Sequence, residues 1–275
     1  MCNNFTIISV EDGQHHPCKW QQYADHYHCW SVPIFTASIT AIQIGLFSYY
    51  CIGDLVLGLK EGLVESLLIY RGDKRLQAWR FLTYCALHAD WTHLVFNILV
   101  QLVVGISLEM VHGSTRLACL YLAGVVAGSL GTSVFSPHVY LVGASGGVYG
   151  LLAAHLANVQ VNYSTMQYGF MRLIGIILVA VADVGFAVYD YYTGSRSDIP
   201  VSYISHITGA LAGLSLGFVV LKKFQEKPLK HHFLWWVALG TFTACLVFAA
   251  TFNLLHTFPY QGIGEAWLPQ PAANT

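Results

Sequence analysis

Charge is what this 275-residue chain has least of: 10% of its residues are Asp, Glu, Lys or Arg, against about 25% in an average soluble domain. That shortage, with 55% hydrophobic residues and a mean hydropathy of +0.54, excludes a water-covered globule and places the chain in a lipid bilayer. The net charge of -1 offers no basic patch, so nucleic acid is not expected as a partner. No charged n-region with a short apolar run opens the chain, and residues 1–30 lack the arginine richness of a mitochondrial transit peptide. A cleaved leader is therefore not expected. The seven cysteines follow no standard zinc spacing. Cys2, Cys18 and Cys29 share the N-terminal arm with His15, His16, His26 and His28, but their pattern predicts neither a metal nor a cofactor. Cys51, Cys85, Cys119 and Cys245 lie in or near apolar segments and read as small packing residues.

What the chain does have is apolar runs of membrane length. A bilayer core takes about 20 apolar residues per helix. On that scale spans are expected at 32–59, 93–111, 117–135, 142–161, 173–191, 202–221 and 233–255, about seven in all. The segment 60–90 is too charged to cross; its pieces at 63–68 and 76–81 are amphipathic and read as interfacial. The chain divides into a short N-terminal arm (1–31), an all-α polytopic core of six helices (32–222), and a basic loop with a seventh span and tail (223–275).

Loop charge sets the direction. Lys222, Lys223, Lys227 and Lys230 cluster between the sixth and seventh spans, and Arg116 and Arg172 fall in loops on the same side. Lys and Arg favour the cytosol, so the N-terminus is expected there, with segment 60–90 and the C-terminal tail luminal or exterior. The second, fourth and sixth spans then run in one direction. At 1.5 Å per residue, Ser145 lies roughly 24 Å above the cytosolic end of its span, His206 roughly 22 Å, Asn97 about 21 Å and His93 about 27 Å. Polar residues of three separate spans thus share one level in the outer half of the bilayer.

Polar groups in lipid are costly and read first as functional, although single ones often only cross-link helices. Ser145 stands in Val142-Gly143-Ala144-Ser145-Gly146-Gly147-Val148-Tyr149-Gly150, and His206 opens the stretch leading to Gly209 and Gly213. A serine nucleophile needs a neighbouring base, and neutral His206 can serve if the two helices meet closely. Small residues every four positions, Gly146, Gly150 and Ala154 against Gly209, Gly213 and Gly217, permit that approach. Tyr149, one turn below Ser145, is placed to stack on His206. His93 and Asn97, at i and i+4, share a helix face and can donate to an oxyanion together with the Ser145 amide. No Asp or Glu is evidently placed to orient His206, so the pattern reads as a dyad. Asp183, mid-span on the fifth segment, reads as a structural hydrogen-bonding group outside the mechanism, and Glu109 and Asp190 as interfacial.

These residues resemble the rhomboid family of intramembrane serine proteases: Gly143-Ala144-Ser145-Gly146, His206 with Gly209 and Gly213, His93 through Asn97, and the pair Trp79-Arg80. Stretches 108–113 and 140–149, with the added seventh span, are similar to the animal secretase-type branch. The resemblance implies Ser145 as nucleophile, His206 as general base, His93 and Asn97 as oxyanion support, and His88 as an organiser of the first loop and nearby water. It implies cleavage of single-pass membrane proteins near the luminal or exterior end of their helix, releasing ectodomains such as growth-factor precursors. Inactive relatives often lack the serine or carry proline before it; here Ala144 precedes Ser145. The arm is shorter than the cytosolic regions of some relatives. The resemblance also implies the secretory pathway, at the Golgi, endosome or plasma membrane. A silent factor that grips client helices is the competing expectation. A small transporter ranks below it, for want of the inverted half-repeat many transporters carry.

Overall fold

Long apolar runs bounded by glycine, proline and polar loops form seven long helices among the described residues of the computed structural model, which are 8–11, 14–17, 32–57, 66–193, 202–224 and 228–255. We number them α1 (Ile34–Leu57), α2 (Trp91–His112), α3 (Ser114–Phe135), α4 (Ser145–Asn162), α5 (Gly169–Thr193), α6 (Tyr203–Val220) and α7 (Pro228–Leu255). Each coincides with an expected span to within about a turn, save α7, which starts five residues before the expected 233. In the N-terminal arm, β1 (Ile8–Glu11) pairs antiparallel with β2 (Gln14–Pro17). The arm's cysteines, and the side chains of its histidines, lie outside the described residues.

Six of these helices are long and apolar enough to cross a membrane; α4 is the exception. Its glycines, His155, Asn158 and Asn162 lower its hydropathy, yet 13 of its 18 residues are buried. A helix enclosed by its neighbours needs no lipid-facing side chains, so α4 can be the most polar and the most central. It packs most closely on α6 and then on α3. By contrast, α5 and α7 leave large apolar side chains such as Leu178, Val181, Trp236 and Phe248 exposed, as lipid-facing helices should.

Glycine sets the spacing at the centre. A Cβ on Gly209 would collide with the Gly146 carbonyl oxygen, and one on Gly213 with that of Gly150. Gly217 abuts Ala157 and Ala154. The small-residue stripes of α4 and α6 therefore meet rung for rung. A third stripe joins them: a Cβ on Gly124 of α3 would stand 2.8 Å from the Gly146 carbonyl oxygen, and one on Gly128 would meet the Ser205 hydroxyl.

Buried polar side chains tie α1 to this centre. Gln43 donates to the Tyr121 hydroxyl at 2.9 Å, and Gln101 donates to Gln43 Oε1 at 2.9 Å and to Thr40 Oγ1 at 2.8 Å. Glu109, expected near an interface, is buried at 3% exposure. It accepts from the Phe35 and Thr36 amides and the Thr36 hydroxyl, at 2.8, 2.9 and 2.5 Å. The first amides of α1 have no intrahelical partner, so a carboxylate from another helix caps them. Of the described cysteines, Cys85 alone is fully buried; Cys119 and Cys245 are exposed rather than packed in the core.

Candidate active site

The nucleophile candidate is placed by a turn that a regular helix cannot contain. Gly143 has φ +113, a conformation that favours glycine. A Cβ there would also strike the His93 ring. The helix expected from residue 142 consequently begins at Ser145, three residues later. The amides of Ser145, Gly146 and Gly147 then stand at a helix N-terminus without intrahelical acceptors, and no N-cap side chain covers them.

The first loop holds this turn from outside. Tyr70 and Leu141 exchange backbone hydrogen bonds at 3.1 and 3.0 Å, and the Gly143 amide donates to the Tyr84 carbonyl at 3.1 Å. The Tyr84 hydroxyl donates to the Val125 carbonyl at 2.8 Å, and burial pushes its pKa above the ordinary phenol range. Sequence reasoning passed over Tyr84 because its grip on the nucleophile turn is through a backbone carbonyl, which no motif marks. Trp79 and Arg80 have separate tasks within this loop. Arg80, 1% exposed, donates to the Ser66 and Ile69 carbonyls at 2.9 and 2.7 Å, while Trp79 donates to the Leu67 carbonyl at 3.1 Å. Leu67, Leu76, Trp79 and Leu82 remain exposed, which suits the interfacial position expected of the segment. Residues 63–65 lie outside the described residues.

Asp90 starts α2. Its side chain accepts from the His93 amide at 2.8 Å and from Thr92 Oγ1 at 2.5 Å. Burial pushes the Asp90 carboxyl up, but these hydrogen bonds outweigh it and hold the group below its ordinary value. The cap fixes where His93 leaves the helix, with its ring against Gly143. Asn97 donates to the His93 carbonyl at 2.8 Å, leaving its second amide hydrogen for another acceptor. His88 is edge-on to His93, with ring centroids 5.3 Å apart, and both its nitrogens are buried without a hydrogen-bond partner among the described residues. Burial, then the neighbouring His93, push the His88 imidazole down to about 3.

On α6, His206 is 6% exposed and lies flat against Tyr149, ring centroids 4.5 Å apart and planes 13° from parallel. Its Nε2 is buried with no partner among the described residues. Its Nδ1 lies 3.4 Å from Asp183 Oδ2, and the Tyr149 hydroxyl donates to that same oxygen at 2.6 Å. This corrects the expectation that no carboxylate is placed to orient His206. The spacing within α5 shows only that Asp183 is mid-helix; which way it faces is decided by how α5 lies against α4 and α6.

The candidate residues thus gather at the starts of three helices: Ser145 is the first residue of α4, His93 the third of α2 and His206 the fourth of α6. Gly146 and Gly209 sit back to back between the serine and histidine helices. Chemically, the cluster offers a hydroxyl, an imidazole with a bare buried nitrogen, and uncapped amides beside amide and imidazole side chains, a set suited to acyl transfer. Comparison with known proteins gives the family. The Rhomboid domain family model matches residues 75–223. Rhomboid-related protein 2 of Mus musculus is 41% identical over 84% of this chain and 78% of its own length. Rhomboid-related protein 3 of Homo sapiens is 37% identical over 86% of this chain, which spans 59% of that protein. Inactive rhomboid-related protein 2 of Caenorhabditis elegans is 31% identical over 84% of this chain and 67% of its own length.

Proposed function

The chain belongs to the rhomboid family, and from that premise we propose that it is an intramembrane serine protease. It cuts the transmembrane helix of single-pass membrane proteins near the luminal or extracellular end and releases ectodomains such as growth-factor precursors. The observation that carries this reading is the buried, unpartnered Nε2 of His206 on a helix that touches the Ser145 helix backbone to backbone. A buried nitrogen left bare is costly in a structural role and is what a general base requires.

In the reaction, Ser145 Oγ attacks the scissile carbonyl carbon while His206 Nε2 takes its proton. The oxyanion receives hydrogen bonds from the Ser145 amide, His93 and the free amide hydrogen of Asn97. Collapse breaks the C–N bond, and the Nε2 proton passes to the leaving amine. Water then hydrolyses the Ser145 ester by the same exchange in reverse. Tyr149 keeps the imidazole in plane, the glycines Gly146, Gly209 and Gly213 keep the two helices together, and Gly143 gives His93 room. Trp79, Arg80 and His88 shape the first loop that buttresses the turn. The client helix must unwind locally to reach Ser145, so small or helix-weakening residues near its outer end favour cleavage. The protein resides in the secretory pathway, in Golgi, endosome or plasma membrane, with its arm (1–31) and basic loop in the cytosol.

Reconstitution with a single-pass client tests the reading. Ser145→Ala and His206→Ala are each expected to abolish product, by at least about 10³-fold; cleavage persisting in both would sink it. The similarity to a relative named inactive favours a second reading, a silent factor that binds client helices. It predicts client capture without product and no change on Ser145→Ala.

A further inference from the structure

We propose that Asp183 is the positioning residue for His206, so that α5 completes a machinery otherwise carried by α4 and α6. The inference rests on the reading of Ser145 and His206 as nucleophile and base.

Asp183 is a carboxylate halfway along an apolar helix, and such a group is costly unless its partners compensate. The groups facing it come from two helices: Tyr149 of α4 donates at 2.6 Å, and His206 of α6 presents Nδ1 at 3.4 Å. Tyr203 of α6 closes the ring's surroundings, edge-on to His206 at 6.1 Å. Among the described residues no Lys or Arg pairs with Asp183. Its polar partners are therefore the Tyr149 hydroxyl and the His206 imidazole.

That pairing decides a tautomer. A neutral imidazole carries one N–H, and the hydrogen bond made by one nitrogen sets which. With a carboxylate oxygen opposite Nδ1, the proton belongs on Nδ1, because a lone pair there would face the lone pairs of Oδ2. Nε2 is then left as the acceptor, and Nε2 is the atom that is buried and unpartnered. During attack the proton leaving Ser145 Oγ arrives on Nε2, and the resulting imidazolium lies beside a fixed negative charge. Asp183 keeps its charge and takes no proton. Tyr149 serves twice, stacking on the ring while its hydroxyl pins the carboxylate that orients the ring. A purely structural tie between α4 and α5 would need only the tyrosine bond.

The test uses the full chain in nanodiscs. A small fluorophosphonate reads Ser145 activation without requiring a client helix to enter, and a single-pass client gives kcat and KM. Asp183→Asn keeps the side chain's shape and removes its charge. It is expected to slow labelling and kcat together by about 10²-fold, with KM within about twofold, since loss of the orienting carboxylate costs up to about 10⁴-fold in a soluble serine protease. Labelling at the wild-type rate, or a loss confined to KM, would overturn the proposal and make Asp183 a client contact. Should Asp183→Asn fail to fold, ¹⁵N NMR of the wild type, assigned by difference with His206→Gln, decides. Protonated Nδ1 with bare Nε2 is expected, and the opposite tautomer overturns the assignment. The two readings fail separately: cleavage by Ser145→Ala removes the protease itself, whereas full labelling of Asp183→Asn removes only the role of Asp183.

Discussion

Helices α4 and α5 both carry residues of the candidate site, yet they are held in opposite ways. The first is clasped by α3 and α6 at distances only glycine allows, with Gly146, Gly150, Gly209 and Gly213 backbone to backbone. The second shows most of its surface to lipid and reaches the core at the site through one carboxylate, shared by Tyr149 and His206. The difference separates two requirements. A nucleophile and its base must keep their spacing within a few tenths of an ångström, which rigid backbone contact supplies. A client helix must still arrive from the bilayer, and a sparsely packed neighbour obstructs that least.

Changes on the clasped side should be the most damaging. Gly213→Val forces a branched side chain into the Gly150 carbonyl, where no flexible atom can yield. Overpacking of this kind costs about 3 kcal/mol or more. Thermal melting in detergent should show a destabilised protein without activity; a wild-type melting curve would mean that the two helices are not in backbone contact. Asp183→Asn on the sparse side should instead cost about 10²-fold in rate with little change in melting. Equal loss of stability in both variants would erase the contrast.

A third effect arises in the loop that braces the turn. His88 has its folded value lowered from 6.5 to about 3, so its contribution to stability is fully present above pH 6.5. It is lost as pH falls from there toward about 3, because the unfolded chain takes up the proton first. At pH 5 the loss amounts to about 2 kcal/mol. Melting of wild type and His88→Gln followed from pH 8 to pH 4 should converge on acidification as the wild type alone loses this increment. Parallel curves would show that His88 is not buried as a neutral ring. Smallest of all, Val181→Ala on the exposed face of α5 should change melting by less than about 0.5 kcal/mol. A larger change would show that this face of α5 is packed after all.

Much of this was legible in the residues. The apolar runs placed seven helices, all but the start of α7 to within about a turn. The four-residue glycine spacing on two of them anticipated contact, because small side chains at one face are useful only if something comes close. Tyr149 at one turn from Ser145 anticipated the stack on His206. Less visible were features made by the chain's own backbone or by distant partners. Tyr84 holds the Gly143 turn through a carbonyl, Asp90 fixes the start of α2, and the third glycine stripe on α3 went unread although Gly124 and Gly128 share the same spacing. Glu109 was legible as a residue near a span end, whereas its partners, amides 73 and 74 residues away, were not.

By itself the sequence determined that this protein lives in a membrane, and where six of its helices are apolar and long enough to cross it, because hydropathy and length are local properties. It also determined where glycine permits two helices to touch. Only the tertiary structure decided that α4 is the enclosed helix, that the turn before Ser145 is braced by the first loop, and that Asp183 faces His206. Those outcomes depend on the rotation and packing of whole helices against one another, and no spacing along a single helix encodes the direction in which its neighbour will lie.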